Sequence, residues 1–342
     1  MSKDPFEIIA ANHRETARAA LRGAFGPAPV RTISPVPGGV SGASVFRAQV
    51  GGRRYVLRIE GEASPLRNPH QYASMQIAAK AGIAPRVHYV DEQARVAVID
   101  FIETQPLAAY PGGPAGLAGA LGELLARLQA TETFPHFVIY PDIVARLWAH
   151  VCRTGLFAPG VLDVATERLA RIREGYVWTS EHSVSSHNDV LPRNILFDGR
   201  RLWLIDWESA YRNDPLVDIA MALDNFAPSP ELEEVLLRAW LDRERDEKVS
   251  AGLAPARALT RLYYAGVLFS ASALANRPEP DRDISALTLD EFTRAIRGGR
   301  LKPDTFETSH ALGKMYLASF LSGERPPGLP PPLSAFAIRG LE

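Results

Sequence analysis

Polar side chains are concentrated in one short stretch of the chain, HNDVLPRN at residues 187–194. Phosphoryl transfer needs a carboxylate that orients or deprotonates an attacking hydroxyl, and oxygen ligands for the magnesium ion that bridges the nucleotide phosphates. Asp189 has the chemistry for the first role. Asn194 follows five residues later, and this spacing lets a loop turn back so that the amide oxygen becomes a ligand of the cation.

A second acidic group, IDWE, follows at residues 205–208. The Asp-Gly pair at residues 198–199 between the two groups is typical of a tight β-hairpin turn. Because a hairpin brings the ends of its two strands together, we expect Asp206 and Asn194 to converge on one cation. The alternative interpretation is a set of polar turn residues around a hairpin.

Three further polar side chains in these stretches have two readings each. His187 is interpreted as a buried hydrogen-bonding residue that fixes the catalytic loop, in preference to a proton carrier. Arg193 either leans over the transferred phosphate or faces solvent. Glu208 either touches magnesium or a cationic substrate, or forms a structural salt bridge.

The elements that must position these residues begin with a β-rich part. Alternating apolar residues on both sides of Gly51-Gly52 predict a hairpin. Asn68-Pro69 offers an N-cap and a first-turn proline for a helix that Gly82 ends. The predicted strands are 44–50, 53–59, 85–89 and 95–102, and the predicted helix is 71–81.

After about residue 103 the apolar spacing becomes mainly helical. The predicted helices are 117–130, 161–175, 232–244, 258–276 and 306–321, and a short hairpin pairs 194–197 with 201–205. The fold class is therefore α+β and bilobal. A small antiparallel sheet with one main helix occupies residues 1–102, and a larger helical part with a central hairpin occupies residues 103–342.

The pattern HND, four intervening residues, Asn, and then IDWE resembles the aminoglycoside phosphotransferase and choline/ethanolamine kinase superfamily, whose members are relatives of protein kinases. The resemblance implies a protein kinase-like fold with ATP and Mg²⁺ between the lobes. It implies that Asp189 orients the acceptor hydroxyl, that Asn194 and Asp206 hold magnesium, and that Asp218 anchors the catalytic loop.

Upstream segments match the same superfamily, and the resemblance covers roughly residues 36–226. PGGVSGAS at residues 37–44 lies where the family has its nucleotide-covering loop, and YVLRIEG at residues 55–61 resembles the third strand. The resemblance implies that Arg58 contacts the phosphates. The remaining nucleotide-binding candidates are Gly38, Gly39, Ser41 and Gly42 in the loop, and Phe101 and Ile102 as the hinge whose backbone pairs with adenine.

The family normally supplies a glutamate from the helix after the hairpin to pair with the basic residue of the third strand. Gln71 stands at that place in this chain. A neutral amide can hydrogen-bond a guanidinium but cannot neutralise it. Either another acid, such as Glu60 or Glu62, compensates, or the enzyme is weakened.

The acceptor is indicated by finer features. HND in place of HGD, together with IDWE, resembles choline and ethanolamine kinases, so the leading acceptor is one of these or a related amino alcohol. A quaternary ammonium prefers aromatic faces with a carboxylate nearby, and Glu208, Asp224 and Phe226 are the candidate substrate-binding residues. The family signature usually has a glutamate where Asn225 stands here.

Other functions remain open from the sequence. An aminoglycoside or another sugar-like alcohol is the alternative acceptor. Gln71 and Asn225 also suit a nucleotide-binding pseudokinase that senses without transfer, and a metal-dependent hydrolase is a third reading.

Composition sets the remaining expectations. The chain has 342 residues, 46% of them hydrophobic, and a formal charge of −1. This balance gives no global electrostatic attraction to nucleic acid or to a membrane, so we expect a small-molecule partner, and the sequence indicates no oligomeric state. Charges near the N-terminus and the lack of a long apolar run predict a cytoplasmic protein. Cys152, the single cysteine, suits a reducing compartment and is expected to be buried.

Overall fold

The fold is described from a computed structural model, which covers residues 4–36, 43–61, 68–242, 247–275, 279–324 and 329–331. An antiparallel sheet in the order β1-β2-β3-β5-β4 forms the first part, and two small two-stranded sheets pair β6 with β9 and β7 with β8. The strands are β1 Val30–Pro35, β2 Ser44–Val50, β3 Arg53–Ile59, β4 Val87–Asp91, β5 Val96–Asp100, β6 Val184–Ser186, β7 Ile195–Phe197, β8 Leu202–Leu204 and β9 Tyr211–Asn213.

Helices make up most of the chain after residue 103. The helices are α1 Arg14–Phe25, α2 Gln71–Lys80, α3 Gly113–Gln129, α4 Tyr140–Arg153, α5 Asp163–Glu174, α6 Pro215–Phe226, α7 Pro230–Leu241, α8 Glu247–Ser272, α9 Leu289–Arg297 and α10 Phe306–Ser322. The predicted class, a small antiparallel sheet followed by a mainly helical part with a central hairpin, is confirmed.

The β2–β3 hairpin has the predicted boundaries, with Gly51 and Gly52 at positive φ in its turn. Because side chains of a strand alternate between its faces, Tyr55, Leu57 and Ile59 are buried under α1, and Arg58 lies on the opposite face. The hairpin therefore presents Arg58 away from the sheet's own core.

Helix α2 begins at Gln71, as the sequence predicts, but its N-cap differs from the predicted one. Asn68 is not its N-cap, because the Asn68 side-chain oxygen accepts from the backbone N–H of His70 and forms a turn before the first helical residue, Gln71. The predicted stop is confirmed, since Gly82 has φ +69° directly after the C-cap.

Two hydrophobic cores hold the molecule. One lies between the sheet and α1, and the other fills the helical part and includes Tyr72, Met75 and Ala78 of α2. Cys152 is exposed, which corrects the expectation of a buried thiol. On α4 the buried side chains include Val144, Trp148 and Val151, and residue 152 turns to the solvent side.

Helices α1, α4, α6 and α9 and strands β1, β6 and β9 were not predicted from the sequence. In the part of the chain that the structure describes, no helix combines the length and the apolar character needed to cross a bilayer.

Candidate active site

The loop that follows β6 is fixed by one buried carboxylate. Asp218 of α6 accepts the backbone N–H of His187 and that of Asn188, each at 2.7 Å. Asn188 has φ +58°, so the two amide groups converge on the same acceptor. The structure thus brings together the loop and the residue that the resemblance names as its anchor.

His187 is fully buried next to this anchor. Its Nε2 donates to the carbonyl oxygen of Ile205 at 2.9 Å, and its ring meets that of Trp207 edge-on, with 4.8 Å between centroids. These contacts join the loop after β6 to the residues on both sides of Asp206. They fit the interpretation of His187 as a residue that fixes the loop.

Asn188 ties the loop to β9. Its side-chain amide donates to the carbonyl oxygen of Ser209 at 2.9 Å and to that of Tyr211 at 3.3 Å, and its side-chain oxygen accepts from Asn213 at 2.7 Å. The left-handed backbone at this position is one that asparagine and glycine adopt more readily than other residues. Asn188 is therefore part of the scaffold that holds Asp189.

Asp189 lies among groups that the sequence analysis assigned to the same site. One of its carboxylate oxygens accepts from the amide of Asn194 at 2.7 Å and from the guanidinium of Arg193 at 3.0 Å. Burial raises the pKa of the Asp189 carboxyl above its ordinary value, and the positive charge of Arg193 opposes that rise. The carboxyl is thus held in place by two hydrogen bonds, while its burial makes the ionised form less favourable than in a solvated aspartate.

Asn194 lies directly before β7, and Asp206 lies two residues after β8, at the same end of the hairpin. The backbone N–H of Ile205 donates to the carbonyl oxygen of Asn194 at 3.0 Å and holds the two segments together. The Asn194 amide nitrogen is used by Asp189, which leaves its side-chain oxygen for another partner. Asp206 has φ +67°, and its Oδ1 contacts Arg58 at 2.9 Å.

These groups fit a magnesium ion chemically. Mg²⁺ in nucleotide sites is held by one or two carboxylates with phosphate oxygens and water. Among the described residues, no hydrogen bond engages Oδ1 of Asn194 or Oδ2 of Asp206. No set of three or more His, Cys, Asp or Glu residues in the described ranges forms a metal site.

Arg58 meets three carboxylates at once. Its Nε contacts Glu60 at 2.5 Å, Nη1 contacts Asp206 at 2.9 Å, and Nη2 contacts Glu208 at 3.1 Å. Although burial alone would lower the pKa of the Arg58 guanidinium, the negative charges of Asp206, Glu60 and Glu208 raise it above its ordinary value. Glu60 is thus an acid partner of Arg58, as the sequence analysis allowed.

Gln71 is the first residue of α2. Among the described residues, no hydrogen bond joins its side chain to Arg58. Glu62 lies outside the described residues, as do Gly38, Gly39, Ser41 and Gly42 of the expected nucleotide-covering loop.

The expected hinge follows β5 directly. The backbone N–H of Phe101 donates to the carbonyl oxygen of Arg54 at 3.4 Å, and the guanidinium groups of Arg47 and Arg54 lie 5.8 and 5.9 Å from the Phe101 ring centre. Ile102 is half-buried and follows in extended, unpaired backbone in the described part of the chain. The amide group of Phe101 is engaged within the sheet, so Ile102 is the better placed of the two for pairing with a base.

Among the described residues, no hydrogen bond or ion pair joins Asp224 to Asp189 or to its partners Asn194 and Arg193. The Asp224 carboxylate is buried and accepts from Arg261 at 2.8 and 3.2 Å. Phe226 is half-buried at the end of α6. Asn225 does reach the catalytic loop, since its amide donates to the carbonyl oxygen of Val190 at 3.3 Å.

Three tyrosines of the helical part pack against one another. The ring centres of Tyr140 and Tyr263 are 6.0 Å apart, and those of Tyr263 and Tyr264 are 5.9 Å apart. Burial raises the pKa of all three hydroxyls, and the negative charge of Asp189 raises them further. Tyr140 was missed by the sequence analysis, because it begins α4, a helix that was not predicted.

The chain is similar in sequence to known phosphotransferases. The model of the phosphotransferase enzyme family (APH) matches residues 32–259. Protein LicA of Haemophilus influenzae is 40% identical over 57 residues, which are 17% of this chain and 21% of that protein. The chain therefore spans only about a fifth of the length of that curated relative.

Two solved structures share the fold over most of their length. A choline/ethanolamine kinase family protein from Mesorhizobium loti is 21% identical, with 90% of this chain and 98% of that chain covered and a TM-score of 0.59. LicA in complex with AMP is 15% identical, with 91% of this chain and 99% of that chain covered and a TM-score of 0.62. The protein kinase-like fold expected from the sequence is confirmed.

Proposed function

The chain belongs to the phosphotransferase enzyme family and is a small-molecule kinase, and from this premise we propose the reaction that it performs. It transfers the terminal phosphate of ATP, with Mg²⁺, to the hydroxyl of choline, ethanolamine or a related amino alcohol. The observation that carries the proposal is the position of Asp189, whose carboxylate is hydrogen-bonded by Asn194 and Arg193 on a loop anchored by Asp218.

Asp189 orients the acceptor hydroxyl and accepts its proton. Its carboxylate is fixed by Asn194 and Arg193, so little reorganisation is needed when the acceptor arrives. The anchored backbone of residues 187 and 188 keeps this geometry. Arg193 lies beside this carboxylate, so its guanidinium can also bind the phosphate as it is transferred.

Arg58 and the hairpin form the nucleotide side of the proposal. Asn194 and Asp206 hold Mg²⁺, which when bound neutralises charge on the phosphates and aligns them for attack. The terminal nitrogens of Arg58 bind phosphate oxygens, and Gly38, Gly39, Ser41 and Gly42 cover them. Ile102 pairs with the base. LicA in complex with AMP supports a nucleotide in this fold.

The acceptor assignment rests on charge and on aromatic surface. Glu208 supplies negative charge next to the metal-binding segment, and Tyr263 supplies a half-buried aromatic ring. A cationic alcohol is attracted by both. The choline/ethanolamine kinase family protein with the same fold supports this class. We also propose the cytoplasm as the compartment, because ATP is made there.

The test is phosphate transfer from ATP, measured across choline, ethanolamine, homoserine, sugars and aminoglycosides. We expect an amino alcohol to be preferred, and Asp189→Asn to lower turnover by about 10²- to 10⁴-fold with nucleotide affinity retained. Turnover that survives Asp189→Asn would contradict the mechanism. Phosphorylation of aminoglycosides alone would contradict the acceptor class, and ATP binding without transfer to any acceptor would contradict transfer itself.

A further inference from the structure

The three carboxylates around Arg58 are unequal. The side chain of Glu60 is 1% exposed, whereas those of Asp206 and Glu208 are 23% and 30% exposed. A buried charge without a partner costs several kcal/mol, while a partly solvated one can change partners at lower cost. We therefore expect the Arg58–Glu60 pair to persist when a ligand enters or leaves the site, and the pairs with Asp206 and Glu208 to exchange.

The three acids also contact different nitrogens. Glu60 takes Nε of Arg58 at 2.5 Å, and Asp206 and Glu208 take the two terminal nitrogens at 2.9 and 3.1 Å. The two terminal nitrogens of the guanidinium can together bind one phosphate by two parallel hydrogen bonds. Glu60 thus fixes Arg58 through the nitrogen that this mode of phosphate binding leaves unused.

The pair belongs to a single strand of the sheet and its extension. Residues two apart on a strand share a face, so Glu60, which follows β3 directly, lies beside Arg58 without any contribution from another element. The backbone N–H of Glu60 donates to the carbonyl oxygen of Arg95 at 2.9 Å, which fixes the position of Glu60 against the neighbouring part of the sheet.

We propose that Glu60 is the positioning residue for Arg58, and that it replaces the acid that α2 does not supply at Gln71. This inference rests on the proposed function, because it assigns phosphate contact to Arg58. Glu60 orients the guanidinium so that both terminal nitrogens face the phosphates. When a magnesium nucleotide binds, phosphate oxygens take the place of Asp206 and Glu208 at these nitrogens, and Glu60 keeps its contact.

One consequence separates this arrangement from one based on α2. In a kinase whose basic residue pairs with a helix, a shift of the helix releases that residue and switches activity off. Here the partner of Arg58 lies on the same strand. The readiness of Arg58 to bind nucleotide is thus independent of the position of α2.

The experiment compares Glu60→Gln with a matched control, Glu234→Gln. Glu234 forms an exposed ion pair with Arg238 at 3.3 Å within α7, so the control removes the same charge from a carboxylate–arginine pair outside the site. Affinity for Mg²⁺–ATP is measured by calorimetry without acceptor. We expect Glu60→Gln to weaken it about tenfold, because the neutral amide can still hydrogen-bond Nε but no longer balances the charge of Arg58, and Glu234→Gln to leave it unchanged.

Steady-state kinetics give a second readout that a merely structural role would not move. We expect Glu60→Gln to raise the KM for ATP and to leave the KM for the acceptor unchanged. If this variant does not fold, Glu60→Asp, which keeps the charge but shortens its reach, is expected to move both readouts in the same direction by a smaller factor.

Three results would overturn the proposal. One is wild-type affinity for Mg²⁺–ATP in the Glu60 variants, and another is an equally large loss in Gln71→Ala, which would return the role to α2. Wild-type protein that binds no Mg²⁺–ATP would refute the nucleotide site itself, and this inference with it. The first two results leave the proposed reaction standing, so the two failures are distinguishable.

Discussion

The Asp189 carboxyl is subject to opposing influences. Burial raises its pKa, and the positive charge of Arg193, whose nitrogen lies 3.0 Å away, lowers it. A raised pKa means that the carboxylate is lost at a higher pH than for a solvated aspartate. Since the ionised form accepts the proton of the hydroxyl in the proposed reaction, we expect the acid limb of activity to follow this balance.

Arg193→Gln removes the largest influence that lowers the pKa of Asp189. We expect the pKa to rise further, so that the acid limb of the kcat/KM profile shifts to higher pH. The profile is measured for the wild type, for Arg193→Gln and for Arg200→Gln, which removes the same charge from the exposed turn between β7 and β8. A limb that stays in place or moves to lower pH in Arg193→Gln would contradict this account.

Asn188 shows what a sequence motif can and cannot predict. The Asp-Gly pair at residues 198–199 predicted a hairpin between Asn194 and Asp206, and the structure contains it. The choice of asparagine in HND was interpreted as a sign of the acceptor, yet its side chain points into hydrogen bonds with Ser209, Tyr211 and Asn213. What this residue determines is the shape of the loop.

Arg58 shows a second limit. Its contact with Glu208 joins residues 150 positions apart in the chain, and no local pattern encodes such a pair. Glu60, in contrast, is two residues away in the chain, and it is one of the two nearby acids, with Glu62, that the sequence analysis named as candidates.

Helices α3 and α7 approach each other most closely at Gly122 of α3. A Cβ atom at Gly122 would come within 2.4 Å of the Leu236 carbonyl oxygen and 2.9 Å of the Ala239 side chain. A Cβ atom at Gly119 would meet only Val235, at an ordinary 3.7 Å. Only the first glycine is required by the packing.

Gly122→Ala and Gly119→Ala therefore form a matched pair. We expect Gly122→Ala to lower the free energy of unfolding by about 1–3 kcal/mol, because the helix backbones must move apart. Gly119→Ala is expected to raise it by about 0.5–1 kcal/mol, since alanine restricts the unfolded chain and favours a helix. Denaturant unfolding measures both, and an equal loss in the two variants would contradict the role given to the α3–α7 contact.

Three of the unpredicted elements, β6, β9 and α6, lack the hydrophobic pattern from which strands and helices are predicted. Strands β6 and β9 have three residues each, too few for an alternating pattern. Helix α6 is buried along a continuous run from Val217 to Asp224, so it lacks the polar face that marks a surface helix. Helices α1, α4 and α9, in contrast, have a clear amphipathic pattern, so the sequence contained a signal that the predictions missed.

At the scale of the whole molecule, α2 is joined to both parts of the fold. The carbonyl oxygen of Ala210, in the segment after Asp206, accepts from Asn68 at 2.6 Å and from Ser74 at 2.8 Å. The backbone N–H of Leu204 donates to the carbonyl oxygen of Ile83 at 3.0 Å. Apolar residues of α2 belong to the core of the helical part. The lobe boundary at residue 102 stays a proposal.

This sharing predicts that residues 1–102 do not fold alone. Without the helical part, Tyr72, Met75 and Ala78 lose the core in which they are buried, and the bonds to Ala210 are absent. We expect the isolated segment to show no cooperative thermal transition by circular dichroism, whereas the full chain shows one. A cooperative transition in the segment would instead mark residues 1–102 as an autonomous unit.

The exposed thiol on α4 has a practical consequence. Cys152 is the single cysteine of the chain, so a maleimide dye attaches to the unaltered protein at one known position. Tyr140 begins the same helix, which places the dye about 18 Å along the axis from it, at about 1.5 Å per residue. A dye at this position labels the protein without altering any residue of the proposed site.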